Sequence, residues 1–207
     1  MRRNNHVRSF IAAELTEEAR ESVWECEEAL RRKVGREMKW VEKANLHVTL
    51  RFLGEVEASL LEESVPALEQ ACQDVPPFEV EIQGLGAFPN RRRVRVLWCG
   101  IGQGAEQLHE LAQAIEAALK PFFAPSKEER FHPHITIARA KGDLLQPEGN
   151  RRIDWEAESP RRVSFTVGQV SIMKSQLRPE GPEYARLWAV PLAGRSPELG
   201  RSKNGKG

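Results

Sequence analysis

Apolar residues recur along this chain in two rhythms, and the points where one gives way to the other outline its elements. From His6 to Glu14, Phe10 and Ile11 form the apolar centre of a first strand. Thr16, followed by Glu17 and Glu18, reads as a helix start, because a hydroxyl can cap the free amides and carboxylates suit the positive end of the helix dipole. Leu15, Ala19, Val23, Cys26, Ala29 (or Leu30) and Val34 then recur at mostly three- and four-residue steps until Gly35. Trp40-Val41 begins an extended approach to a strand over Leu46 to Gly54. A second helix is expected from Ala58 to Gln73, and Pro66 within it predicts a kink or a division into two short helices.

Phe78 to Ile82 and Arg93 to Ile101 read as strands separated by a turn-rich link, Gly84 to Asn90. A third helix follows over Ala105 to Leu119, with Leu108, Leu111, Ala112 and Ile115 on one stripe and His109 off its centre, toward solvent. After a further strand at His134, Lys141 to Asn150 is a polar loop. Val163 to Met173 and Leu187 to Leu192 close the fold as strands around a Pro179–Pro182 turn. Gly194 to Gly207 is rich in Gly, Ser, Lys and Arg, which predicts a disordered basic tail behind a single domain over 1–193. The order predicts an α+β fold, with short helices packed on mainly antiparallel sheets.

Two tetrapeptides stand out within this pattern. His47-Val48-Thr49-Leu50 and His134-Ile135-Thr136-Ile137 are both β-type, and their histidines lie 87 residues apart. Period-two alternation puts each His and its Thr on one face, with Val48 and Leu50, or Ile135 and Ile137, on the other. One such motif is ordinarily a structural histidine in a strand. Two, in a chain with five His, point to paired function and to two similar halves that share a cleft.

The remaining composition narrows the classes. A net charge of +1 excludes a generally polybasic binder, so any attraction for nucleic acid is local. The Arg91-Arg92-Arg93 cluster with Arg95 reads as a solvated turn before it reads as an RNA contact. Cys26, Cys72 and Cys99 are odd in number and far apart, which suits reduced, buried thiols and a cytoplasmic setting. No apolar run approaches membrane-spanning length and the N-terminus has no apolar signal core, so no membrane association is expected.

Zinc would want three or four His, Cys or carboxylate ligands, whereas the strand partners here are threonines, so no metal and no other cofactor is expected. No Gly-x-Ser-x-Gly elbow occurs for a serine hydrolase. Two imidazoles about one substrate atom suit acid–base catalysis near neutral pH, one taking a proton and the other giving one. Threonine hydroxyls and an arginine can hold phosphate oxygens. Arg139, five residues past His134, falls on the opposite face of a regular strand; to reach the cleft, the strand would have to end, bulge or twist.

These residues resemble the paired signatures of the two-histidine phosphoesterases, and among them the bacterial and archaeal RNA 2′,3′-cyclic phosphodiesterases, also called 2′-5′ RNA ligases. The likeness extends to Phe10-Ile11-Ala12, Trp40-Val41, Asn45 to Gly54, Phe88-Pro89, Arg95 to Trp98, His132 to Arg139, Ser175-Gln176-Leu177 and Gly181-Pro182-x-Tyr184. It implies a bilobal fold with pseudo-two-fold symmetry and an active-site cleft between two sheets. It implies metal-independent opening of a terminal 2′,3′-cyclic phosphate to a 2′-phosphate, and in some members reversible 2′-5′ joining of RNA ends. His47 and His134 would be catalytic, with His134 as base and His47 as acid; Thr49, Thr136 and Arg139 would bind phosphate oxygens, and Phe52 would lie near the nucleoside. The expected partners are RNA with 2′,3′-cyclic phosphate ends or cyclic nucleotides, met by a monomer. The rival reading is a non-catalytic protein that binds RNA ends in the same cleft.

Overall fold

The computed structural model describes residues 5–126, 131–142, 152–178 and 181–194. Strands β1 (His6–Glu14), β2 (Met38–Trp40), β3 (His47–Glu57), β4 (Phe78–Asn90), β5 (Arg93–Ile101), β6 (His134–Ala140), β7 (Val163–Val167), β8 (Gln169–Leu177) and β9 (Pro182–Pro191) alternate with helices α1 (Glu17–Val34), α2 (Ala58–Gln73) and α3 (Ala105–Leu119). The strands run β7-β4-β5-β6-β3-β1-β8-β9, all pairings antiparallel, with β2 added to β6.

That order divides into two mirrored sets of four, β7-β4-β5-β6 and β9-β8-β1-β3, which meet where β6 touches β3. The seam is a single ladder pair, Val48 with Ile135. A pseudo-two-fold axis passes through it: β6 corresponds to β3, β5 to β1, β4 to β8 and β7 to β9. In each half a strand leads through a helix to its histidine strand, β1–α1–β3 and β5–α3–β6. The helices cross over, however. α1 packs against β6 and β7 of the other half, while α2 and α3 pack together against β3 and β9. Each half is therefore covered by the helix that its partner's strands lead into, and neither half closes its core alone.

The expected α1 forms as read, with the Thr16 hydroxyl accepting from the Ala19 amide at 3.4 Å. Ala19, Val23, Cys26, Leu30 and Val34 are its buried stripe. Three expectations are corrected. α2 is one continuous helix despite Pro66, which sits on its exposed face together with Glu62, the residue whose carbonyl loses its helical donor to the proline. The link from Gly84 to Asn90 is not a turn but the continuation of β4, whose register shift between Ile82 and Leu85 absorbs Gly84. Val163 to Met173 is two strands, broken at Gly168. His109 is half-buried and bonded to Gln113 at 2.9 Å. The expected loop beyond Gly142 and the tail from residue 195 lie outside the described residues.

Among the described residues no helix is long and apolar enough to cross a membrane. All three cysteines are free and buried. Of the basic cluster, Arg91 donates to the Leu85 carbonyl and lies over the Trp155 ring, 5.1 Å from its centroid, while the Arg92 and Arg93 amides are held by the Asn90 carboxamide oxygen. The turn reading holds for that hairpin tip.

Candidate active site

Antiparallel register carries the seam into chemistry. One step either side of Val48–Ile135 sets His47 opposite Thr136 and Thr49 opposite His134. The four polar side chains stand on one face across the seam, and Val48, Ile135, Leu50 and Ile137 are buried on the other. A cavity of about 590 Å³ opens above that polar face, lined by His47, Thr49, Thr136, Arg139 and Phe52 among others. His134 does not itself line it, yet lies near enough to repel a charge on His47.

Each imidazole is fixed in the same way. His47 Nδ1–H donates to the Asn45 carbonyl at 2.7 Å, and His134 Nδ1–H donates to the His132 carbonyl at 2.6 Å. A carbonyl only accepts, so Nδ1 carries the proton and a neutral ring has Nε2 bare for chemistry. In His47 that nitrogen accepts from the Thr49 hydroxyl at 2.9 Å.

Aromatic rings wall both histidines. Phe10 stacks on His47 at 4.8 Å, and Tyr184 meets its edge at 5.5 Å. Phe88 stands edge-on to His134 at 5.2 Å, with Trp98 at 6.1 Å and His132 at 6.0 Å. Desolvation is the chief result: it pushes His47 down from 6.5 to about 4, with the Asn45 carbonyl opposing and the charges of His134 and Arg139 adding to it. His134 is lowered too, first by burial, with the His132 carbonyl opposing and the charges of His132 and Arg139 adding to it. Burial thus favours the neutral ring at both histidines in the free protein.

The parity objection to Arg139 is answered by a bulge. Trp98 pairs with Thr136 and Leu97 with Ala138, so Ile137 is an extra residue in β6. Ile137 and Ala138 are both fully buried in succession, and Arg139 returns to the cleft face. The Val41 amide donates to the Ile137 carbonyl at 2.9 Å, which pins the bulge from the end of β2.

The other half repeats the device. Ala12 pairs with Thr49 and Ile11 with Arg51, so Leu50 is the extra residue in β3 and Phe52 returns to the cleft, 50% exposed. Between them Arg51 goes inward: its side chain is 1% exposed and pairs with Glu116 of α3 at 2.8 Å, and its guanidinium also donates to the Ala124 carbonyl at 3.0 Å.

Sequence pattern assigned no role to Phe10, Tyr184, Phe88, Trp98 or His132, although all five fall in the resembling segments. Nor did it single out Arg8 and Lys39, which also line the cavity. Alternation from Phe10 could have found Arg8; Lys39 depends on β2 pairing with β6, which no local pattern signals. Among the described residues no three His, Cys, Asp or Glu side chains gather as a metal-binding group.

The sequence model of the 2′-5′ RNA ligase superfamily matches residues 16–178. An RNA 2′,3′-cyclic phosphodiesterase of Aeropyrum pernix is 38% identical over 157 residues, which is 75% of this chain and 87% of the other. The crystal structure of TT0787 of Thermus thermophilus superposes with a TM-score of 0.75 at 28% identity, covering 91% of this chain and all (100%) of that one. The crystal structure of E. coli LigT complexed with 3′-AMP gives a TM-score of 0.65 at 27% identity, over 89% of this chain and 98% of that one. Sequence match and shared architecture agree: the chain belongs to the 2′-5′ RNA ligase superfamily, the two-histidine phosphoesterases.

Proposed function

We propose that this protein is an RNA 2′,3′-cyclic phosphodiesterase working by metal-independent acid–base catalysis between His47 and His134. The observation that carries the reading is the seam: a single ladder pair places each imidazole across from the other motif's threonine, and a bulge on either side brings in one cation and one aromatic ring. The names of relatives such as the Aeropyrum pernix protein support the substrate class.

In this reading the cyclic phosphate lies over the seam, its non-bridging oxygens met by Thr49, Thr136 and Arg139, with the nucleoside against Phe52. Water attacks phosphorus as His134 Nε2 takes its proton. The bond to the 3′-oxygen breaks, and His47 supplies the proton that makes it a hydroxyl; a 2′-phosphate remains. A 5′-hydroxyl in place of water would give a 2′-5′ linkage by the same two transfers, which is the route to ligation and its reversal. Neutral His134 suits the base. His47 has to gain its proton in the field of the anionic substrate, because the free site holds it near 4.

That depression favours a second reading in which the roles are exchanged and His47 is the base. The measurement that separates them is a leaving-group comparison: a substrate whose 3′-oxygen departs without protonation should rescue the variant lacking the acid and not the one lacking the base. We further take the protein to be a cytoplasmic monomer with one domain over 1–193.

The test of the whole reading is incubation with an oligoribonucleotide ending in a 2′,3′-cyclic phosphate, with EDTA present. Conversion to the 2′-phosphate supports it. Tight binding without conversion would make the protein a binder of RNA ends instead.

A further inference from the structure

We infer, on the basis of the function proposed above, that the cavity is built for a polynucleotide rather than a mononucleotide, with Arg8 and Lys39 holding phosphodiesters of the RNA behind its cyclic end. Both residues line the same cavity as His47 and Arg139. Arg8 precedes Phe10 by two residues on β1 and so shares its face; Phe10 in turn pairs with Phe52. Lys39 is the β2 partner of Arg139, and directly opposed residues of an antiparallel pair share a face. One cation therefore stands beyond the ring that would carry the nucleoside. The other stands beside the arginine that would carry the reacting phosphate.

Neither Arg8 nor Lys39 has an ion-pair partner among the described residues, and both are exposed. Glu55 is the cross-strand neighbour of Arg8 but forms no ion pair with it, and Glu42 is the acidic residue on the cavity wall. The chain as a whole carries +1, so three cations on one cavity are a local concentration of charge. A cyclic mononucleotide brings one negative charge, and Arg139 with the two threonines already meets it. Arg8 and Lys39 are left without an anion unless the ligand has further phosphates. An RNA strand supplies one per nucleotide, the first of them on the 5′ side of the terminal nucleoside.

The experiment compares kcat/KM for a 2′,3′-cyclic mononucleotide and for a short oligoribonucleotide with the same cyclic end, across a salt series, in wild type and in Arg8→Gln, Lys39→Gln and the double variant. Arg161→Gln, outside the cavity and paired with Glu18, is the control cation. Wild type should prefer the oligonucleotide. The double variant should lose about tenfold of that preference, and its slope of log(kcat/KM) against log salt should flatten by about 0.7 for each cation removed. The control should leave preference and slope unaltered. Equal losses on both substrates would place Arg8 and Lys39 at the reacting phosphate and overturn the inference, as would an unchanged preference or slope. Inactivity of wild type on both substrates would instead remove the phosphodiesterase reading itself.

Discussion

Phe52 and Arg139 occupy the same position in the two halves of the molecule: each lies five residues past its histidine, and each is returned to the cleft by one extra residue, Leu50 in β3 and Ile137 in β6. The symmetry of the backbone is thus broken by chemistry at one pair of positions. One side carries a guanidinium and the other an aromatic ring; in the proposed reading these meet phosphate and base, and would give a nucleotide a direction that the paired histidines and threonines, being alike, cannot.

Arg139→Ala should lower kcat/KM by about 10²–10³-fold, the scale of removing one donor from a developing oxyanion. Arg139→Lys should recover only part, because an ammonium is a point charge without a planar fork. Phe52→Ala should act chiefly on KM, at about 1–3 kcal/mol for lost stacking. Steady-state kinetics on one oligonucleotide substrate checks all three, and a larger effect of Phe52→Ala on kcat than on KM would contradict the division.

His47→Ala and His134→Ala should each cost about 10²–10⁴-fold in kcat while the fold survives. The double variant should lose far less than the product of the two, since the residues act as one unit. Single-turnover rates alongside a thermal melt decide this; wild-type rates in both single variants would end the two-imidazole mechanism.

Stability should depend on pH in two opposed windows. His47 titrates at about 4 in the folded protein against an ordinary 6.5, so between those values the unfolded chain takes up a proton that the native ring refuses. Its contribution is complete above pH 6.5, is lost as pH falls, at about 1.4 kcal/mol per pH unit for one proton, and levels off once the native ring also protonates. Glu27 works in reverse. Its fully buried carboxyl is raised by desolvation from 4.5 to about 8 despite Arg31 at 2.9 Å, so its contribution is present below 4.5 and is lost as pH rises toward 8. Denaturant melts at a series of pH values should show His47→Gln losing less stability than wild type on acidification, and Glu27→Gln losing less toward pH 8. Curves parallel to wild type would contradict both assignments.

Gly86→Ala should damage the site from behind. A Cβ there would fall 2.2 Å from the Trp98 indole, which packs against Gly86 and helps to wall His134. The expected cost is about 1–3 kcal/mol of stability from overpacking, with a loss of kcat of up to about 10²-fold as the imidazole is displaced. Gly142→Ala, where the added methyl meets nothing within 4 Å, is the neutral control. A Gly86→Ala protein with unchanged kcat would show that the wall does not position the histidine.

Much of this was legible along the chain. Alternation at His47–Leu50 and His134–Ile137 revealed strand, face and partnership at once, because a side-chain period of two is a local property of extended backbone. The three helices showed through their stripes and the Thr16 cap. Where local cues failed, tertiary context outweighed them. Gly84 and Gly86 look like a turn, but β5 pairing along this stretch and an indole packed against Gly86 hold them in β4. Pro66 looks like a break, yet sits with Glu62 on the exposed face of a helix that continues through it.

Short-range spacing and residue type were enough to establish most elements, the duplicated histidine motif and the family resemblance. Three features came from the folded chain alone: Arg139 faces the cleft, the two halves join through Val48 and Ile135, and α1 and α3 cover each other's sheets. A bulge exists only relative to a partner strand one residue shorter, and β5 reaches β6 from more than thirty positions away in the chain. Parity read along one strand predicts the wrong face for Arg139 because the extra residue is a property of the pair.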